Sequence, residues 1–343
     1  MYYCSNYVTA VLLCVVTMFC WGSWGNTQKL AGKTWRFELF YWDYVLGLVL
    51  FSLVAGLTFG STVSGSPWGF VANLKSSFGT SWLWPFAAGV VFNASNILLS
   101  AAIAVAGMSV AFPVGVGLAL VGGTVFNYIF NPAGKSLCFI LAGLALIVVS
   151  IICNAMAFKV KQAAGGQTAD SSATKKGLLL AAVAGLLMMW FSPLVNKVID
   201  DAFTAPAPAT GKMTAYTAFF VFAVGIFLSN FLWNTIAMRR PVQGEPILDG
   251  ARRYFAGSLV THLVGMLGGA IWSLGTLLSF VTAGAASPAV AYALGQGATL
   301  VSALWGILVW KEFKGAPKQS GVLNLAMILL FLAGLAFLIV AGL

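Results

Sequence analysis

Long stretches of this chain carry no Lys, Arg, Asp or Glu, and the charge that exists is gathered between them. Residues 1–28, 44–74, 76–134, 136–158, 177–196, 213–238, 254–310 and 319–343 are free of all four. A helix rising 1.5 Å per residue needs ~20 mostly apolar residues to cross a ~30 Å hydrocarbon layer. Stretches 76–134 and 254–310 are each long enough for two crossings and the others hold one, which predicts ten membrane-spanning helices. Charged residues make up 8% of the chain, against ~25% in a soluble domain, so no polar shell is on hand for a soluble core. The fold class read from the sequence is an all-α integral membrane protein, a single membrane domain over 1–343.

The net charge of +10 does not point to nucleic acid, because of where it lies. Lys29, Lys33 and Arg36 follow the first crossing; Lys159, Lys161, Lys175 and Lys176 the fifth; Arg239, Arg240, Arg252 and Arg253 the seventh; Lys311, Lys314 and Lys318 the ninth. All of these fall on one side of a ten-span threading, and only Lys75, Lys135, Lys197 and Lys212 on the other. Short loops rich in Lys and Arg stay cytoplasmic, so both termini are expected outside the cytoplasm, in a multi-pass protein of the cell (inner) membrane. The five cysteines lack metal-ligand spacing, and one His cannot complete a zinc site. No nucleotide-binding loop or nucleophile elbow is present either. The expectation is a non-enzyme with no cofactor, driven by a proton gradient rather than by its own ATPase, and working as a monomer or homodimer.

The order of motifs suggests one five-span unit used twice: 1–158, a cytoplasmic linker 159–176, and 177–343. Trp21-Gly22-Ser23 in the first span is answered by Trp190-Phe191-Ser192 in the sixth, and Ala106-Gly107 by Ala283-Gly284. A Pro-bearing helix follows in each half, with Pro113 beside Gly115 and Gly117, and Pro288 ahead of Gly295 and Gly297. Those residues are expected to loosen the fourth and ninth spans at matching places. An odd number of spans per unit would invert the second copy, the arrangement by which many secondary transporters alternate access to a site near the midplane.

The runs GGAIWSLGTLLSFVTAG and SPAVAYALGQGATLVSALWGILVWKEF, within 268–313, resemble the last-half signature of the glucose/ribose porter family. Residues 92–132, with FCWGSWGNTQKL at 19–30 and FELFYWDY at 37–44, are similar to the same group and to the related rhamnose transporters and ureide permeases of the drug/metabolite transporter superfamily. The resemblance implies a fold of two inverted five-helix repeats and a proton-coupled carrier of sugars, ureides or nucleobases.

Six of the eight acidic residues lie in loops or at span ends; Glu38 and Asp43, flanking LFYW in the second span, do not. Asp43 falls about two turns into its helix, ~10 Å along the axis, where a charge costs at least ~2.5 kcal/mol at the bilayer centre. Either it carries the coupling proton, or it is paired with Arg36 or Lys33 or bonded to a neighbouring helix. Glu38 is expected nearer the water. His262, the only histidine, is a packed imidazole or a proton relay. For the solute, Trp21, Ser23, Asn26, Asn93, Asn96, Trp190, Ser192, Trp272, Ser273 and Gln296 are the candidates. Indoles cover the flat face of a small molecule while amides and hydroxyls bond its edge, and polar groups in lipid must find partners. The function expected is proton-coupled sugar uptake by alternating access. A metabolite or drug exporter, a nucleobase or ureide permease of the same fold, and a membrane-embedded structural subunit are the alternatives.

Overall fold

The computed structural model describes residues 2–32, 35–62, 65–130, 136–164, 171–201 and 205–342. Lys33, Lys135, Asp170 and the middle of the 159–176 linker lie outside them. Ten helices are long and apolar enough to cross a membrane, as the charge-free stretches predict. They are α1 (Tyr7–Ala31), α2 (Phe37–Leu57), α3 (Leu83–Ala106), α4 (Met108–Phe130) and α5 (Leu137–Ala164). In the second half come α6 (Ser171–Met188, resumed at Phe191–Asn196), α7 (Ala215–Arg239), α8 (Leu259–Ala286), α9 and α10 (Lys318–Gly342). The ninth is three pieces: Pro288–Gly295, Ala298–Leu304 and a π-helical turn Trp305–Val309. Among the described residues there is no strand, only an isolated bridge between Ile199 and Met213.

The main helix neighbours are unchanged when five is added to or subtracted from their numbers. Helix α1 lies on α8 as α6 lies on α3; α2 lies on α8 as α7 lies on α3; α5 pairs with α10, α2 with α7 and α4 with α9. Glycines repeat the pattern at atomic detail. A Cβ on Gly47 would run into the Met266 carbonyl and one on Gly225 into the Phe86 carbonyl; one on Gly269 would meet the Tyr44 carbonyl and one on Gly89 the Phe222 carbonyl. Gly143 and Gly334 each approach the other's carbonyl oxygen, a Cβ on either falling at 2.8 Å. Such contacts let backbones meet in lipid, where packing rather than the hydrophobic effect holds helices together. The obstacle is backbone and cannot swing aside. Gly269→Ala and Gly89→Ala are therefore each expected to cost about 1–3 kcal/mol or more and to lower the thermal midpoint of the purified protein by several degrees. Gly321→Ala, with nothing within 4 Å of its new methyl, is the neutral control.

Two expectations need correction here. The turn equivalent to Gly107 (φ 80°, ψ 167°) is Ser287 (φ 72°, ψ 150°), not Gly284, because α8 runs on to Ala286. Ser287 holds this glycine-favouring conformation while its hydroxyl accepts from the Val290 N–H at 3.4 Å, capping α9. Nor are the fourth and ninth spans broken alike. Pro113 falls in the second turn of α4, where the loss of one backbone bond is tolerated and the helix continues. Of the two, only α9 is interrupted, at Gln296–Gly297.

Candidate functional site

The interruption of α9 sets Gln296 against a small box at the centre of the bundle. Its walls are the rings of Trp21 and Trp24 from α1, Phe92 from α3, Phe112 from α4, Phe191 from α6 and Trp272 from α8; Asn96 and Gln296 are its polar members. Trp21 stacks on Trp272 (6.4 Å, 17°), and Phe92 lies 4.6 Å from Trp272. The indole N–H of Trp21 donates to Thr276 Oγ1 at 3.0 Å, which fixes that ring. With the rings in this contact the cavity is only about 20 Å³, barely one water's worth of space. Nothing larger fits while the rings keep this contact.

Of the ten solute candidates, Trp21, Asn96, Trp272 and Gln296 meet in this box. The other six are engaged elsewhere. Ser23 accepts from the Trp305 indole (2.9 Å) and Asn26 from the Trp310 indole (2.6 Å), tying α1 to the end of α9. Asn93 accepts from Tyr41 (3.0 Å) and donates to the Ile226 carbonyl and to Ser229. Ser192 bonds Asn127 and Asn196 between α4 and α6, and Ser273 reaches toward the Leu48 carbonyl at 3.5 Å. Trp190 stacks on Phe126 (4.2 Å) outside the box. The turn at residues 189–190 rotates α6, so that Phe191 takes the inward place.

A second cluster sits toward the N-terminal end of α2, near the basic α1–α2 connection. Asp43, 1% exposed, receives the Tyr254 hydroxyl on one carboxylate oxygen (2.5 Å) and the His262 Nδ1–H on the other (2.9 Å). Trp35 presses its face to the His262 edge at 4.7 Å and stacks on Tyr254. Tyr254 lies between spans; burial, reinforced by the Asp43 carboxylate, raises its hydroxyl above the ordinary range, so it stays a donor at any physiological pH. Neither Arg36 nor any described lysine is the partner of Asp43. Glu38 departs from expectation too: it is as buried as Asp43, and Arg36 grips it through two bonds (2.5 and 3.2 Å). Arg36 also donates to the Gln243 and Glu245 carbonyls, so one guanidinium ties α2 to the segment after α7.

The same helix joins the two clusters. Tyr41 and Tyr44 rise from α2 on either side of Asp43. Asn96 of the box donates to the Tyr41 hydroxyl (3.2 Å), and Trp24 of the box lies 5.0 Å from the Tyr44 ring. Helix α2 thus touches both clusters.

On the side of the basic clusters a vestibule of about 620 Å³ opens between the end of α1, the start of α2 and the α3–α4 turn. At the opposite end, Asn73 closes the bundle by donating to the Lys212 carbonyl (3.1 Å) and accepting from the Thr214 N–H (2.9 Å).

Ten spans around a small, largely aromatic box, with a vestibule on the side of the basic clusters, describe a multi-pass membrane permease for a small polar solute. Similarity to known proteins narrows this. The sequence model of the ureide permease family matches residues 167–341, just over half of the chain, and this chain belongs to that family. It is 22% identical to Ureide permease 2 and 23% identical to Ureide permease 1 of Arabidopsis thaliana, each alignment covering 100% of this chain and 99% of the relative. A Probable glucose uptake protein GlcU of Staphylococcus aureus is 25% identical over 82% of this chain and 83% of its own. One solved crystal structure shares the fold, with a TM-score of 0.57 over 97% of this chain and 96% of the other at 16% identity.

Proposed function

We propose that this protein carries a small, uncharged ureide or nucleobase across the membrane together with a proton. The box supports that reading over the sugar uptake expected from the sequence. Its polar equipment is two side-chain amides, and its walls are otherwise six aromatic rings with Leu99, Val116, Met188 and Ala298 between them. A sugar would bring a hydroxyl on almost every carbon, and each one buried without a partner costs about 1–3 kcal/mol. A ureide or nucleobase is flat or nearly so, suited to stacking between indoles, and its N–H and C=O groups lie on its edge, where amides match them as both donor and acceptor. The names of the plant relatives point the same way, and the GlcU relative keeps sugar as the second reading.

The mechanism follows from the two clusters. Asp43, held by His262 and Tyr254 away from bulk water, takes up and releases the proton, with His262 as its relay. Asn96 and Gln296 orient the solute. Helix α2 transmits one event to the other through Tyr41 and Tyr44. Alternating access would arise by rocking two five-helix repeats of opposite orientation, divided at 159–176, against each other. The repeated helix neighbours and the answering glycines support this. In the orientation given by the basic loops, the vestibule faces the cytoplasm.

Liposomes holding the purified protein, offered radiolabelled allantoin, uracil and glucose with and without a pH gradient, test the reading. Gradient-dependent uptake of allantoin or uracil is expected; uptake of glucose alone would replace it with the sugar reading. For orientation, single cysteines at Arg239 and Lys314 in a chain freed of its own thiols should resist an impermeant maleimide in intact cells. A cysteine at Lys212 should react, and the reverse pattern would invert the assignment.

A further inference from the structure

The vestibule is lined by a glutamine whose buried amide oxygen has no hydrogen-bond partner among the described residues. Gln28 lies one helical turn beyond Trp24, at the deepest point where α1 lines this space, and is 5% exposed. Its Nε2 donates to the Ser100 carbonyl at 3.0 Å, while its Oε1 has no partner among the described residues. A buried acceptor left alone is rare and calls for a partner. The charged groups on the same walls make no such demand. Lys29 is paired with Glu312 (2.7 Å) and sits 4.3 Å over the Trp310 ring, and Arg36 is paired with Glu38. Among the described residues the lining cations are thus already neutralised, which does not favour an anion. What remains is the free amide oxygen beside the apolar α3 wall of Ala101 and Ala104, in a space of about 620 Å³ that suits a small molecule. Trp24, one turn before Gln28 on α1, and Phe112, one turn after Met108 on α4, belong to the aromatic box, their ring centres 6.2 Å apart.

We propose that the vestibule is a second solute station, in which an uncharged ring N–H donates to Gln28 Oε1 on the cytoplasmic side of the Trp24–Phe112 pair. The class of solute rests on the reading above; the second station rests on Gln28. The chain then holds two solute molecules, one in the box and one, more weakly, in the vestibule.

Equilibrium dialysis of the full-length protein in nanodiscs with radiolabelled allantoin and uracil tests this. Two molecules per chain are expected, with affinities at least tenfold apart. Gln28→Leu should remove the weaker site and change the tighter one by less than threefold. Ala104→Trp, which fills the vestibule from an exposed wall position without touching the Gln28–Ser100 bond, should remove the same site. One molecule per chain in the wild type, or two in both variants, would overturn the second station while leaving the box intact. Failure of the wild type to bind either probe would overturn the solute class and this inference with it.

Discussion

Asp43→Asn is expected to abolish accumulation of solute against a gradient, a drop of more than about tenfold in the steady-state ratio, while counterflow continues. Exchange of labelled for unlabelled solute moves no net proton, so a carrier that has lost only its proton site still exchanges. The geometry gives the substitution a narrow effect. Asparagine keeps an oxygen to accept from Tyr254 and adds no bulk at a crossing where Gly265 already lets Asp43 lie close to α8. Glu38→Gln tests the assignment from the other side. The sequence suggests that Glu38 matters less because water reaches it; the structure gives a different reason, that Arg36 holds it in a fixed ion pair. Neutralising Glu38 leaves the Arg36 guanidinium with only carbonyls, and the expected result is less folded protein with coupling preserved in what remains. Normal accumulation by Asp43→Asn would move the proton to His262 or replace it with another ion.

The architecture was legible because lipid imposes it. Every span had to be apolar and ~20 residues long, so gaps in the charge pattern alone located ten helices. The interior of the box was legible only in part. Trp21, Asn96, Trp272 and Gln296 stand out as polar or amphipathic groups inside apolar helices. Phe92, Phe112 and Phe191 do not, because a phenylalanine in a membrane span looks the same whether it faces a solute or a neighbouring helix. Trp190 stands out by matching Trp21 in sequence, but a two-residue turn in α6, where Pro193 cannot donate to the Met189 carbonyl, puts Phe191 in its place. The partners of Asp43 were out of reach for another reason. Tyr254 and His262 lie more than two hundred positions away, brought in by the α2–α8 crossing that Gly47, Gly265 and Gly269 permit.

Asn96→Leu and Gln296→Leu should each raise the half-saturation concentration for allantoin or uracil by roughly 10- to 100-fold, about 1–3 kcal/mol per lost amide. Leucine keeps the approximate volume, so the box retains its shape and loses only its edge-matching groups. Asn93→Leu is the informative contrast. Asn93 lies one turn from Asn96 on α3 but bonds Tyr41, the Ile226 carbonyl and Ser229, joining α2, α3 and α7. Its loss should appear as less folded protein, with half-saturation nearly unchanged in what survives. Trp272→Ala should weaken both probes and also slow exchange, since the indole contacts Trp21, Phe92 and Phe222 and so touches α1, α3 and α7 at once. If Asn93→Leu shifted half-saturation while Asn96→Leu and Gln296→Leu did not, the solute would lie on the α2–α7 side of α3, and the aromatic box would be packing alone.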